Sequence, residues 1–249
     1  MSERAVSEVV SYALVFGLVV SAVAVVSVSG VSTLQDTRDN EQMANAERAF
    51  SVLHDNLADV HRRDAPSRAT ELSLGEAQLE SGPNVTMAVS VTDTSGTTWQ
   101  SPDWQLRPIV YEGIEDRQLV YEAGAVFRTT NSGGLRVQDP PLVVSEDRVL
   151  VSVVGLTRPG AQSVGGGTVV VRGRNKGTNI AYESTANDVD RVTVSLSGTA
   201  QPALWQTYFE ERDFDCTVTG SDITCTYDPS GSISQVYVVY HDIAVEIES

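Results

Sequence analysis

The chain has 249 residues, of which 41% are hydrophobic, and 33 acidic residues against 17 Lys and Arg give a net charge of −16. This negative excess argues against binding to the phosphates of nucleic acids. Lys176 is the single lysine, and at ~1 M salt the Debye length falls to ~3 Å, so the composition favours a high-salt environment that screens self-repulsion. An acidic protein without salt adaptation is the alternative.

The first predicted element is an apolar helix near the N-terminus. The stretch from Val9 to Leu34 carries no charge, and at ~1.5 Å per residue a helix of this length reaches ~39 Å, more than a hydrocarbon layer of ~30 Å. A secretory signal has its small-residue cleavage site after the apolar core, whereas here Arg4 and Ala5 precede it. Trimming would therefore remove a leader and leave the helix attached. The alternative is a signal anchor that is never cut.

Three small residues lie on one face of this helix. Ala13, Gly17 and Ser21 are four residues apart, which would let another helix approach closely, and close packing is what associates helices in lipid. Small residues are also common in any valine-rich membrane helix, so two interpretations stay open. Glu8 lies near the membrane edge, where an ionisable side chain is costly and is therefore an assembly candidate, or else it reaches into water.

The segment Arg4-Ala5-Val6-Ser7, with the Val/Ala/Leu/Gly helix that follows, resembles the N-terminus of archaeal type IV pilins, especially those of haloarchaea. The resemblance implies that a prepilin peptidase on the cytoplasmic side cuts between Ala5 and Val6. It also implies that the freed helix packs with other pilin-like subunits in the core of a filament. A weaker resemblance, to a group of pilin-like proteins from the same organisms, extends over residues 45–50 and 62–70.

Residues 36–65 are predicted to continue the helix as an amphipathic stalk, after a leader at 1–5 and a transmembrane helix at 6–35. Apolar side chains recur there at spacings of three and four residues: Met43, Ala46, Phe50, Leu53, Leu57 and Val60. This single seam favours a helix laid across a sheet over a coiled coil. Arg62 and Arg63 suit a helix C-terminus, and Pro66 disfavours continuation past Ala65, so the whole helix is expected over residues 6–63.

From residue 66 to 249 the pattern has a period of two, which predicts an extracellular, all-β, sandwich-like head domain. The fold class is therefore α+β, a long N-terminal helix followed by a β head. Strands are predicted at 85–91, 148–154, 168–171, 191–196 and 235–240. One helix with core aromatic residues is expected over residues 203–212.

The basic segment 172–177 is expected to be a hairpin tip at Asn175-Lys176-Gly177 in preference to a binding patch.

The two cysteines predict a disulfide, with free thiols as the alternative. Cys216 and Cys225 are symmetric about Gly220-Ser221, so a two-residue turn with glycine first would place them opposite each other in a hairpin. A non-hydrogen-bonded pair of this kind has a Cα spacing near the lower end of what a disulfide accepts. The bridge implies an oxidising exterior.

No catalytic constellation and no cofactor-binding motif stands out in the sequence. His54 and His61 share a helix face but have no evident third ligand, so ordinary flanking histidines are favoured over part of a metal site, and no metal is expected. Asn84-Val85-Thr86 is the only Asn-x-Ser/Thr sequon, and Gly82-Pro83 before it predicts an exposed turn. Asn84 is therefore a glycosylation candidate if the domain is outside the cell.

These features predict a membrane-anchored, pilin-like surface protein and not an enzyme. It would cross the cytoplasmic membrane once, with its C-terminal domain outside, and join an archaeal type IV pilus-like filament as a major or minor subunit. The alternative is a single-pass anchored extracellular binding module that does not polymerise and whose head recognises a surface partner or a carbohydrate.

Overall fold

The computed structural model describes residues 3–114, 116–145, 147–157, 163–186 and 188–248, without the side chains of residues 3–9, 28–33 and 36. The chain divides into two compact units, Met1–Ala44 and Asn45–Ser249. The first unit is helical, and the second contains the strands. The fold is therefore α+β, with a long N-terminal helix followed by a β-rich domain, as the sequence predicts.

The described residues form two helices and 17 strands, which follow one another in this order along the chain. They are α1 (Glu3–Arg62), β1 (Ser67–Ser73), β2 (Gln78–Ser81), β3 (Val85–Asp93), β4 (Thr98–Gln100), β5 (Trp104–Leu106), β6 (Ile109–Glu112), β7 (Gln118–Glu122), β8 (Ala125–Thr130), β9 (Gly133–Gln138), β10 (Leu142–Ser145), β11 (Arg148–Thr157), β12 (Ser163–Gly165), β13 (Thr168–Ser184), β14 (Val189–Ser197), α2 (Pro202–Glu210), β15 (Asp215–Thr219), β16 (Asp222–Tyr227) and β17 (Gln235–Glu248).

The helix α1 ends where its sequence changes from helix formers to turn residues. Asp64 has a left-handed backbone (φ 57°), and the N–H of Ala65 donates to the carbonyl of Asp59 over 3.3 Å. A left-handed residue just past the last turn is a common way to satisfy the final carbonyls of a helix. The predicted end near residue 63 is confirmed.

The strands form three sheets. Sheet one has the order β1-β13-β17-β11-β10, and within it β11 and β17 are parallel. Sheet two has the order β12-β2-β6-β7-β8-β9, and sheet three has the order β15-β16-β14-β3-β4, with β5 also paired to β3. The five predicted strands are confirmed as β3, β11, β13, β14 and β17. All five belong to sheets one and three.

Sheets one and three share a hydrophobic core with α2. Val151 of β11 and Val238 of β17 belong to the same buried cluster as Val89 of β3 and Val194 of β14. The predicted helix at 203–212 is confirmed as α2, and its three large aromatic side chains are buried, as expected: Trp205, Tyr208 and Phe209. Burial of such side chains contributes roughly 1.5–3 kcal/mol each.

The part of α1 that belongs to the second unit packs across sheets one and two. Phe50 meets the edge of Tyr111 on β6, with ring centroids 6.2 Å apart. Leu57 lies over Gly173 on β13, where an added Cβ would come within 2.5 Å of its Cδ2 atom. From Ala46 onward the apolar seam is buried, so this stretch is a helix laid on sheets, as predicted.

The predicted hairpin tip at Asn175-Lys176-Gly177 is wrong. The strand β13 runs through this segment and stays paired with β17, with a bulge between Asn175 and Gly177. Gly177 supplies the unusual backbone (φ 150°). The turn-forming residues therefore produce a bulge, because the long partner strand β17 holds the pairing on both sides.

The packing of α1 on the sheets predicts that its buried face is a stability determinant of the β domain. Leu57→Ala should lower the free energy of unfolding by about 2–5 kcal/mol, since it leaves a cavity over Gly173. Val52→Ala is the matched control, because Val52 lies on the same helix with 52% of its surface exposed, and should change stability by less than about 0.5 kcal/mol. Urea unfolding of both variants measures the difference; equal effects would show that the seam is not part of the core.

Candidate functional site

The most exposed apolar surface of the described chain lies on the first part of α1. The window Val10–Ser27 has a mean hydropathy of 2.3 and none of it is buried within the molecule. Tyr12 and Leu18 are each more than 70% exposed. By length and composition this segment can cross a membrane, and among the described residues it is the one such helix. Apolar surface of this extent needs lipid or protein to cover it.

The three predicted assembly residues lie inside this exposed segment. Ala13, Gly17 and Ser21 are all helical and exposed. At 100° per residue they occupy an arc of about 80° on one helix face. A Cβ added at Gly17 would meet nothing within 4 Å. No packing contact with the described residues of the same chain therefore requires glycine at this position.

The predicted processing site lies at the start of α1. Ala5, Val6 and Glu8 have helical backbones, and their side chains are outside the described part of the structure. Met1 and Ser2 of the predicted leader are outside it altogether. The cut between Ala5 and Val6 and the role of Glu8 stay predictions.

The disulfide is formed across the β15–β16 hairpin. Cys216 and Cys225 are register partners, with a Cα–Cα distance of 4.1 Å and an S–S distance of 2.07 Å. Gly220, the first residue of the two-residue turn, has φ 64°. The predicted bridge and turn are thereby confirmed, and the half of the bridge that Cys225 supplies lies in the hydrophobic core.

Asn84 is exposed in the connection between β2 and β3, directly before β3. Thr86, the third residue of the sequon, accepts a hydrogen bond from Gln105 Nε2 over 2.9 Å. The exposed asparagine is compatible with a glycan, and glycosylation at this position stays a prediction.

The histidines lie closer together than the sequence indicates. His61 near the end of α1 packs against His241 of β17, with ring centroids 5.0 Å apart, and His54 packs against Tyr121 of β7. Neither the spacing of 54 and 61 nor the distant position of 241 predicts this pair. Among the described residues, no group of three or more His, Cys, Asp or Glu side chains has the arrangement of a metal site.

Glu122 at the end of β7 is a buried carboxyl group that sequence reasoning missed. Only 1% of the residue is exposed. Its Oε1 atom accepts hydrogen bonds from the indole Nε1 of Trp205 (2.6 Å) and the hydroxyl of Thr199 (2.7 Å). Burial raises the pKa of Glu122, and the two hydrogen bonds oppose that shift. The partners are more than 70 residues away, so no local pattern in the sequence indicates them.

Glu122 also lines a small cleft on sheet two, on the face opposite α1. The cleft has a volume of about 160 Å³, and its walls combine carboxylates with apolar side chains. Glu80 and Glu112 line it from β2 and β6, and Gln118, from β7, donates to Glu112 over 3.2 Å. A cleft with this lining is suited to a small ligand that has donor groups and an apolar part.

Fold and site together define a protein with one N-terminal helix suited to cross a membrane and a disulfide-bonded, β-rich domain. The chain belongs to DUF7289, a family of unknown function, and the match covers residues 4–246. The family is thus defined over the helix and the β domain together. No curated protein and no solved structure matches the chain.

The hairpin disulfide is expected to stabilise the domain by about 2–3 kcal/mol, because it closes a short loop in the unfolded chain. Reduction with dithiothreitol should lower the urea midpoint accordingly. The double variant Cys216→Ala/Cys225→Ala is the control, since its midpoint should not respond to the reductant. An unchanged wild-type midpoint after verified reduction would contradict the prediction.

Glu122→Gln is expected to change how stability depends on pH. The folded-state pKa of Glu122 is raised above its unfolded value of 4.5, so the stability that the protonated group contributes is complete below pH 4.5 and is lost as the pH rises. Glutamine keeps an acceptor oxygen for Trp205 and Thr199 but does not ionise. Chemical unfolding from pH 4 to 8 should therefore show a smaller loss in this variant, whereas Glu112→Gln in the same cleft should follow the wild-type profile.

Proposed function

We propose that this protein is a pilin-like subunit that is anchored in the cytoplasmic membrane and joins a filament on the cell surface after its leader is removed. The observation that carries the proposal is the fully exposed apolar segment Val10–Ser27. Lipid covers this surface before assembly, and helices of other copies cover it afterwards. Protein–protein packing can replace lipid here because helices in lipid associate through close contact.

The face formed by Ala13, Gly17 and Ser21 supports helix packing between copies. Each of these residues is exposed, and the position of Gly17 is open in the single chain. Small side chains allow two helix backbones to approach closely. The resemblance of Arg4-Ala5-Val6-Ser7 to an archaeal prepilin processing site supports a cut before Val6, which leaves this face on the mature protein.

The disulfide supports an external position for the β domain. A bridge between Cys216 and Cys225 persists in an oxidising compartment and is rare in the cytosol. Asn84 is exposed and would be available to a glycosylation enzyme on the outside. The chain would then cross the membrane once, with residues 45–248 outside.

The cleft beside Glu122 favours the second candidate function, an anchored binding module that does not polymerise. Its mixed lining of carboxylates and apolar residues suits a small ligand. The two functions differ in what the apolar helix does: in a filament it contacts other copies, and in an anchored module it contacts lipid alone.

Variants of the helix separate the two functions. In protein produced in its native host, the expected mass is that of a chain beginning at Val6, and sheared surface fractions should contain it in filaments. Gly17→Leu should reduce the filament fraction at least ~10-fold while membrane retention of the unassembled protein stays unchanged, because the leucine fits lipid but not a close helix contact.

Ala22→Leu is the matched control for Gly17→Leu. It adds a similar side chain to the same exposed segment, about 140° around the helix from Gly17. Filament yield should stay near the wild-type level. An uncut leader on surface-assembled protein would contradict the processing step. Absence of filaments in the wild type, with the protein held in the membrane, would support the anchored module.

A further inference from the structure

All three histidines of the chain lie where the end of α1 meets the sheets. His61 is 9% exposed and His241 is 7% exposed. Their rings are 5.0 Å apart at centroid and inclined by 47°. His54, seven residues earlier on the same face of α1, packs against Tyr121. Two imidazoles thus form a buried contact between a helix end and the strand β17.

The hydrogen bonding of this pair fits neutral imidazoles. The Nδ1 atom of His61 is buried and has no hydrogen-bond partner among the described residues. The Nδ1 atom of His241 shares a hydrogen bond with the hydroxyl of Thr178 on β13, over 3.0 Å. A proton added to His61 would create a positive charge on this buried ring. A buried charge without a partner is strongly destabilising.

The charges on α1 also oppose protonation, namely His54 and Arg62. Asp64, two residues after α1, has the opposite effect on His241. Burial, then His241, Arg62 and His54, lower the pKa of His61 to about 3. Burial and Arg62 lower the pKa of His241, and Asp64 opposes that shift.

Two further titratable groups lie on the strands, Tyr121 against His54 and Asp242 next to His241 in the sequence. Tyr121 on β7 is buried, and burial raises its pKa, so it stays neutral. Asp242, the neighbour of His241 on β17, accepts a hydrogen bond from Thr157 on β11. Asp64 itself accepts a hydrogen bond from Asn175 over 2.9 Å.

We propose that His61 and His241 form a pH-sensitive clasp, which holds the end of α1 on the β domain while both imidazoles are neutral and releases it in acid. The folded-state pKa lies below the unfolded value of 6.5, so the clasp is complete above pH 6.5 and weakens as the pH falls toward 3. Release involves the last turn of α1, because the pair lies at the helix end, beyond Phe50 and Leu57.

Hydrogen exchange on the full-length protein in detergent micelles tests the clasp. After correction for intrinsic exchange rates, amides of residues 58–65 should open about 10- to 100-fold more often at pH 4.5 than at pH 7.5. His61→Leu, which fills the site with an apolar side chain that does not titrate, should remove most of that difference. Should this variant not fold, His61→Gln serves the same purpose.

His54→Leu is the control, since it removes a histidine from the same helix face and leaves the buried pair intact. It should keep most of the wild-type pH dependence, because His54 is the smallest of the causes that lower the pKa of His61. Two results would overturn the proposal: an equal pH dependence in wild type and His61→Leu, or a simultaneous loss of protection across the whole β domain at pH 4.5. Opening confined to residues 58–65 in the wild type supports it.

Discussion

The β domain depends on the burial of one helix face. Phe50 of α1 contacts Tyr111 on sheet two, and Leu57 of α1 lies over Gly173 on sheet one. The helix therefore covers apolar surface on both sheets. The buried cluster that joins sheets one and three, to which β8 of sheet two adds Ala125 and Phe127, contains none of the described residues of α1. The second half of α1 is therefore a structural part of the domain, and Asn175 ties its end to β13 through Asp64.

The same helix carries two apolar patterns with different physical requirements. In the stretch from Ala46 to Val60, apolar residues recur every three or four positions, which matches a helix with one buried face. From Val10 to Ser27 the apolar residues occur on all sides, and none of that surface is buried by the chain itself. A helix that is apolar all round needs an apolar environment on all sides, which lipid or other protein can provide.

Sequence reasoning predicted the elements whose patterns are local. The alternating strands β3 and β14, the helix α2 and the hairpin disulfide all follow from spacing along the chain. Sheet two was missed, because β6 and β7 are nearly continuous apolar runs and Gly133-Gly134 opens β9, so none of them alternates. The contacts of Glu122 and the pairing of His61 with His241 join residues far apart in sequence. Such contacts depend on the topology, which local patterns do not specify.

Glu122 and His61 are both buried, but they differ in how well the fold accommodates a charge on each of them. Glu122 has two donors aimed at one carboxylate oxygen, so the fold already solvates the ion that would form there. His61 has a buried ring nitrogen without a partner in the described part of the chain, and its neighbours are another imidazole and a guanidinium group. The fold therefore tolerates an ionised carboxylate better than a protonated imidazole. Acid is therefore expected to weaken the contact between α1 and β17, because a proton on His61 would be a buried charge.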